Sequence, residues 1–153
     1  MSNGTYAGLQ FCDDSIEALG TFINNVNVPN AVSKQDLHVT LLYSKKHLPN
    51  LVARGLLSSP IKIKPESFEV WESSGNNCLV LKLHSFELLH LHKTLMHDHQ
   101  ATYDYAEYHP HVTLSYNVGD FNTSSLNIKL LPEELLLCKE YKEELNLNWV
   151  DNQ

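Results

Sequence analysis

The sequence predicts an α+β fold of two similar lobes, related by a pseudo-twofold axis and facing each other across a central groove. Three observations lead there. The tetrapeptide His-Val-Thr-Leu stands twice, at 38–41 and 111–114, with Tyr43 and Tyr116 two residues further on. Ile-Lys-Ile-Lys-Pro-Glu from Ile61 is matched in the same order by Ile-Lys-Leu-Leu-Pro-Glu from Ile128. Each half also sets one helix-periodic segment ahead of its His-Val-Thr-Leu string. A period near half the chain length implies two like units, and half of this chain is too small to be stable alone. Residues 1–153 therefore read as one domain, with repeat halves at about 14–84 and 86–150.

The elements follow in order. Gly4–Phe11 is short and rich in strand formers, and Asp13-Asp14-Ser15 after it suits a helix cap. Ile16, Leu19, Phe22, Ile23 and Val26 then recur on one helical face, until Asn27 and Pro29 stop it. Residues 35–44 return to strand, and 45–60 connect, with a short helix expected around 49–57. Two strands, 61–72 and 77–84, are joined by the turn Ser73-Ser74-Gly75-Asn76-Asn77. In the second half, 85–102 is a helix carrying Leu88, Leu91, Leu95 and His99. A polar, aromatic loop leads to the strand at 111–117. A strand from Ile128 and a last strand over 145–150 complete the plan.

Composition narrows the function classes. The 153 residues carry a formal net charge of −7, and long nucleic acid is held mainly by neutralising phosphates, so a duplex-binding protein is not expected. A small anionic ligand in a local pocket remains compatible. No apolar run approaches the roughly 18 residues of a membrane span, and the N-terminus lacks the pattern of a secretory signal. Cys12, Cys78 and Cys138 are odd in number and set among apolar neighbours. They read as buried free thiols of a reducing, cytoplasmic compartment.

Alternation along a strand puts His38 and Thr40 on one face and Val39 and Leu41 on the other, and likewise His111 and Thr113 against Val112 and Leu114. The apolar residues suit the core and the His/Thr pairs suit the groove. Two imidazoles across a groove can act as base and acid near neutrality. Two hydroxyls beside them can donate to an oxygen of a bound group, an arrangement that fits the tetrahedral, negatively charged centre of a phosphodiester. No nearby Asp/Glu set completes a metal site, so no metal and no cofactor are expected.

On these paired motifs the chain resembles the two-histidine (2H) phosphoesterase superfamily, whose signature is a pair of His-x-Thr/Ser-x motifs. The resemblance implies a bilobal fold of mainly antiparallel sheet with outer helices, and activity on RNA 2′,3′-cyclic phosphate ends, 2′–5′ oligonucleotides or related diesters. The N-terminal strand "GTYAGLQF" and the C-terminal "YKEELNLNW" are most similar to the phage anti-CBASS family, phosphodiesterases that destroy the cyclic oligonucleotide signals of bacterial immunity. That likeness implies a monomer in the host bacterial cytoplasm, with a cyclic di- or trinucleotide as its small-molecule partner. It also implies that Tyr6, Glu143 and Trp149 hold substrate, with Glu144 the alternative to Glu143. The implied reaction is attack of a ribose 2′-OH on the adjacent 3′–5′ phosphorus, one histidine removing the proton and the other protonating the departing 5′-oxygen. Which histidine takes which part stays open. A nucleotide sponge without catalysis is the reading of another class.

Other residues divide between uses. Tyr103, Tyr105 and Tyr108 precede the second motif and suit either a lid that stacks on nucleobases or a cover over the core; Tyr105 and Tyr108 are the candidate substrate contacts. Trp71 suits core packing first and base stacking second. His90, His92, His97 and His99 lack the i,i+3 or i,i+4 pairs of a helical metal site and read as a solvated face. His109 reads as a loop residue.

Overall fold

The structure, a computed structural model, describes residues 4–73, 75–101 and 107–145. Its main elements are β1 (Gly4–Phe11), α1 (Asp13–Val26), β2 (His38–Ser44), β3 (Gly55–Ser73), β4 (Asn76–His84), α2 (Phe86–His99), β5 (His111–Ser115) and β6 (Leu135–Leu145). All strand pairs are antiparallel, and the six close into one ring in the order β1-β2-β5-β4-β3-β6.

On either side of the β2–β5 junction the ring forms two three-stranded sheets, β2-β1-β6 and β5-β4-β3. These are the two lobes, but contiguous halves of the chain do not build them. β3 belongs to the first half and completes the second half's sheet; β6 does the converse. The element order divides evenly at the β3–β4 turn, where Gly75 takes a φ of 81° that favours glycine. Each side of that turn then reads strand, helix, His-Val-Thr strand, strand.

The core is the buried apolar face of these strands, covered by α1 and α2. Leu9, Val39, Leu41, Leu42, Ile63, Leu79, Leu81, Val112, Leu114, Leu135 and Leu137 are fully buried, each such side chain contributing about 1.5–3 kcal/mol relative to an exposed one. α1 adds Leu19, Phe22 and Ile23, and Phe22 stacks on Phe68 of β3 with ring centroids 5.2 Å apart. Asn27 ends α1 in the left-handed conformation, which asparagine tolerates. Ser85 caps α2 by accepting from the Leu88 N–H, worth about 1 kcal/mol.

Several local expectations are corrected. No side chain caps α1: Cys12 holds the N-cap position, Asp13 and Asp14 lie in the first turn, and Ser15 is buried with its Oγ accepting from the Leu136 N–H. Residues 49–54 form no helix; Lys142 Nζ donates to the Leu48 and Leu51 carbonyls, and buried Glu140 accepts from Arg54 N and Nε. These long-range anchors replace a helix's own bonds. Ile128–Leu130 is a single 3-10 turn capped by Asn127, and the strand begins only at Leu135. The residues of the expected last strand beyond 145 lie outside the described ones. Cys12 and Cys138 are joined as a disulfide, because β1 and β6 run side by side and bring positions 126 residues apart together. Cys78 alone is a free thiol among the described residues.

Candidate active site

β2 and β5 meet through one register pair, Val39 with Val112. In antiparallel strands that pair is a local twofold centre, so the residues on either side of each valine fall at related positions. His38 and Thr40 therefore stand beside His111 and Thr113. All four, half-buried, line one groove of about 810 Å³ together with Trp71, Glu72, Ser73, Cys78, Val80, Glu107, His109 and Tyr116, within the size range of small-molecule sites.

Each motif strand carries the same irregularity. On β2, Ala7 pairs with Leu42 and Gly8 with Thr40, so Leu41 is an extra residue; on β5, Leu79 pairs with Ser115 and Val80 with Thr113, so Leu114 is the extra residue. A bulge bends its strand and re-aims nearby side chains. Both fall at the leucine of His-Val-Thr-Leu, directly after the threonine. The bulge also explains why Leu41 and Leu42 are both buried, as are Leu114 and Ser115, where strict alternation would expose one of each pair.

Both imidazoles are held alike. His38 Nδ1 lies 2.9 Å from the Asp36 carbonyl and His111 Nδ1 lies 2.8 Å from the His109 carbonyl. A carbonyl only accepts, so each Nδ1 carries a proton, and Nε2 is the nitrogen left to accept or give one. Burial lowers the His111 pKa; the bond to the His109 carbonyl opposes this, while His38 and His109 push the same way as burial. His109, taken from sequence as a loop residue, thus orients His111 through its carbonyl and lines the groove.

The neighbours differ between halves. Trp71, whose first reading was core packing, lines the groove with its indole edge-on to His111 at 4.5 Å between centroids. Its Nε1 donates to Glu69 Oε1 at 2.9 Å, and Glu69 pairs with Lys82 at 3.3 Å. Register puts Trp71 opposite Cys78 on the groove face. Beside His38 stands Tyr6, 6.2 Å away and edge-on, with its hydroxyl 3.0 Å from Thr40 Oγ1. Burial drives the Tyr6 pKa far upward, the Thr40 contact opposing it, so the phenol stays protonated.

Tyr6 pairs in register with Glu143, and Gly8 with Tyr141, so all four share a face with Thr40. Glu143 is exposed. Tyr141 packs 5.9 Å from Tyr6 over Gly8, where a Cβ would lie 2.6 Å from its hydroxyl. Tyr141 escaped the sequence reading, although its strand parity with Glu143 was visible. Tyr6 adjoins the groove through Thr40, Glu143 stands opposite Tyr6 on the neighbouring strand, and neither lines the groove itself. Tyr108 approaches from behind β2: its hydroxyl donates to the Thr40 carbonyl at 2.5 Å and its ring stacks on His92 at 4.0 Å. His92 is buried, not solvated, with Nδ1 2.7 Å from the Leu41 carbonyl. Tyr103, Tyr105 and Trp149 lie outside the described residues.

The family model for "Anti-CBASS protein Acb1" matches residues 3–152. The chain belongs to the anti-CBASS protein Acb1 family. Within it, the chain is 32% identical over 151 residues to Acb1 of Salmonella phage S16 and to Acb1 of Enterobacteria phage T4, covering 99% of this chain and 94% of each relative. Among solved structures, Escherichia coli LigT complexed with phosphate superposes with a TM-score of 0.61 at 12% identity, over 93% of this chain and 86% of LigT. TT0787 of Thermus thermophilus gives 0.55 at 16%, over 91% and 83%. The Acb1 family chain thus has the 2H phosphoesterase fold.

Proposed function

We propose that the protein is a phosphodiesterase that opens cyclic di- and trinucleotides at a 3′–5′ bond, a reaction by which a phage would evade CBASS immunity. The observation that carries this reading is the meeting of two His-x-Thr pairs on adjoining strands, each imidazole with Nδ1–H tied to a carbonyl and Nε2 left for chemistry. The family's name, anti-CBASS protein, supports the biological role. The partner is a small cyclic oligonucleotide, bound by a monomer in the host bacterial cytoplasm. No helix among the described residues is long and apolar enough to cross a membrane.

In this reading the diester sits between the two pairs. His111, which burial keeps neutral, takes the proton of the ribose 2′-OH, whose oxygen attacks the adjacent phosphorus in line. His38, entering the step with a proton on Nε2 as well as on Nδ1, gives the Nε2 proton to the departing 5′-oxygen. Thr40 and Thr113 donate to the non-bridging oxygens, where negative charge builds. The product is a linear nucleotide ending in a 2′,3′-cyclic phosphate, which water can open with the histidine roles reversed. The two imidazoles supply both proton transfers, so the step needs no metal. Tyr6 and Glu143 border the base-binding space, with Trp71 across the groove.

The test is product analysis on a panel of cyclic dinucleotides, cyclic trinucleotides, linear 2′–5′ oligonucleotides and RNA 2′,3′-cyclic phosphate ends, with chelator present. Cleavage of cyclic substrates, lost in both His38→Ala and His111→Ala, is expected. Preference for the linear substrates would move the protein to RNA-end or 2′–5′ chemistry. Quantitative recovery of intact cyclic ligand would make it a sponge.

A further inference from the structure

The bulge at Leu41 leaves two successive carbonyls, of Thr40 and Leu41, to be satisfied where β2 has parted from β5. Both are met by side chains from the second half of the chain. His92 Nδ1 lies 2.7 Å from the Leu41 carbonyl, and Tyr108 Oη donates to the Thr40 carbonyl at 2.5 Å. The two rings stack with planes 9° apart and centroids at 4.0 Å. They therefore act as one rigid block that spans α2, the approach to β5 and the strand bearing the first motif. The corresponding carbonyl at the second bulge, Leu114, is met by a backbone N–H, that of Val32, at 2.9 Å. The first motif is thus held by side chains where the second is held by backbone.

We propose that His92 and Tyr108 are positioning residues: together they fix the bulged backbone at Thr40–Leu41 and so aim the Thr40 hydroxyl, with the Tyr6 phenol bonded to it, at the reacting phosphate. Neither residue touches substrate in this assignment. It replaces the expectation that Tyr108 stacks on a base, and it rests on the proposed phosphodiester chemistry for its catalytic readout. Burial lowers the His92 pKa, with the bond to the Leu41 carbonyl opposing. The block thus donates its hydrogen bond as a neutral ring. Misplacing one group that stabilises a transition state lowers turnover far more than affinity.

The experiment compares Tyr108→Phe, His92→Leu, His92→Asn and Leu91→Ala, all in the full chain. Tyr108→Phe removes one donor and keeps the stacking; His92→Leu removes the other. In His92→Asn the amide nitrogen occupies roughly the place of Nδ1 and can still donate to Leu41. Leu91, half-buried on the same helix, is the control for simple loss of stability. Tyr108→Phe and His92→Leu should lower kcat roughly tenfold or more while KM stays within about threefold. His92→Asn should recover most of the loss, and Leu91→Ala should keep kcat. Amide exchange is measured in parallel: residues 39–42 should exchange at least roughly tenfold faster in Tyr108→Phe and His92→Leu, and not in Leu91→Ala. Unchanged kcat and exchange in the first two, or an equal fall in Leu91→Ala, overturns the assignment. Should the wild type cleave no diester, the function above fails, and the exchange pattern alone decides this inference.

Discussion

Replacing Gly8 by alanine should damage both stability and turnover, although the substitution adds one methyl group to a strand. The glycine is not needed for its backbone: it sits mid-strand, paired with Thr40 on one side and Tyr141 on the other. It is needed for space. A Cβ would stand 2.6 Å from Tyr141 Oη, 2.7 Å from Tyr141 Cζ and 2.9 Å from Tyr6 Cε1, distances that real Cβ contacts do not sustain. Both obstacles are rigid rings, and Tyr6 is further held by its 3.0 Å contact with Thr40. Overpacking of this kind costs about 1–3 kcal/mol, which for a chain of this size lowers Tm by roughly 2–12 °C. Displacing Tyr6 also breaks its bond to Thr40, worth about 0.5–1.5 kcal/mol, and so slows catalysis roughly 2- to 12-fold. Thermal melts and steady-state cleavage of a cyclic dinucleotide measure the two effects. A Gly8→Ala protein with unchanged Tm and unchanged kcat/KM would refute the view that Gly8 makes room for Tyr141 and Tyr6.

Gly20 predicts the opposite sign: it lies inside α1, a Cβ there meets only ordinary contacts at 3.5 Å, and Gly20→Ala should stabilise by about 0.5–1 kcal/mol in a denaturant titration. Leu81→Ala, at a fully buried position beside Val112, should cost about 2–5 kcal/mol in the same titration. The lowered pKa of His111 keeps it neutral to lower pH than an open imidazole, so with His111 as base the acidic limb of kcat/KM should fall below about pH 6.5. Trp71→Ala, by opening the ring to water, should move that limb upward. The same shift makes the fold lose stability as pH falls from about 6.5 through the His111 pKa, because the unfolded chain takes up that proton first. Reduction of the Cys12–Cys138 disulfide should lower stability by about 2–4 kcal/mol, read as the difference between melts with and without reductant.

The fold class and the positions of the motif strands were legible because the His-Val-Thr-Leu repeat is local and its alternation has one buried face. The strand exchange was not, since nothing in residues 55–73 or 135–145 states which sheet they join. The bulges left a trace, Leu41-Leu42 and Leu114-Ser115 breaking the alternation, that a period-two reading passes over. His92 was misplaced because four histidines on one helix suggest a polar face, and only the path of β2 beneath α2 shows that one of them has a carbonyl to meet. Trp71 and Tyr141 depend on cross-strand register, which sequence spacing does not carry. The Cys12–Cys138 pairing has the same origin: two apolar-flanked cysteines look independent until β1 and β6 lie together.

The two bulges have a consequence for how the protein could be divided. The Leu41 carbonyl, in the first half, is met by His92 of the second; the Leu114 carbonyl, in the second, is met by Val32 of the first. With β3 and β6 also traded between sheets, each half is completed by what the other lends it. Cutting the chain at the turn around Gly75 should therefore give two fragments that have no activity apart and regain it on mixing, in the manner of an obligate heterodimer whose subunits happen to share a peptide bond.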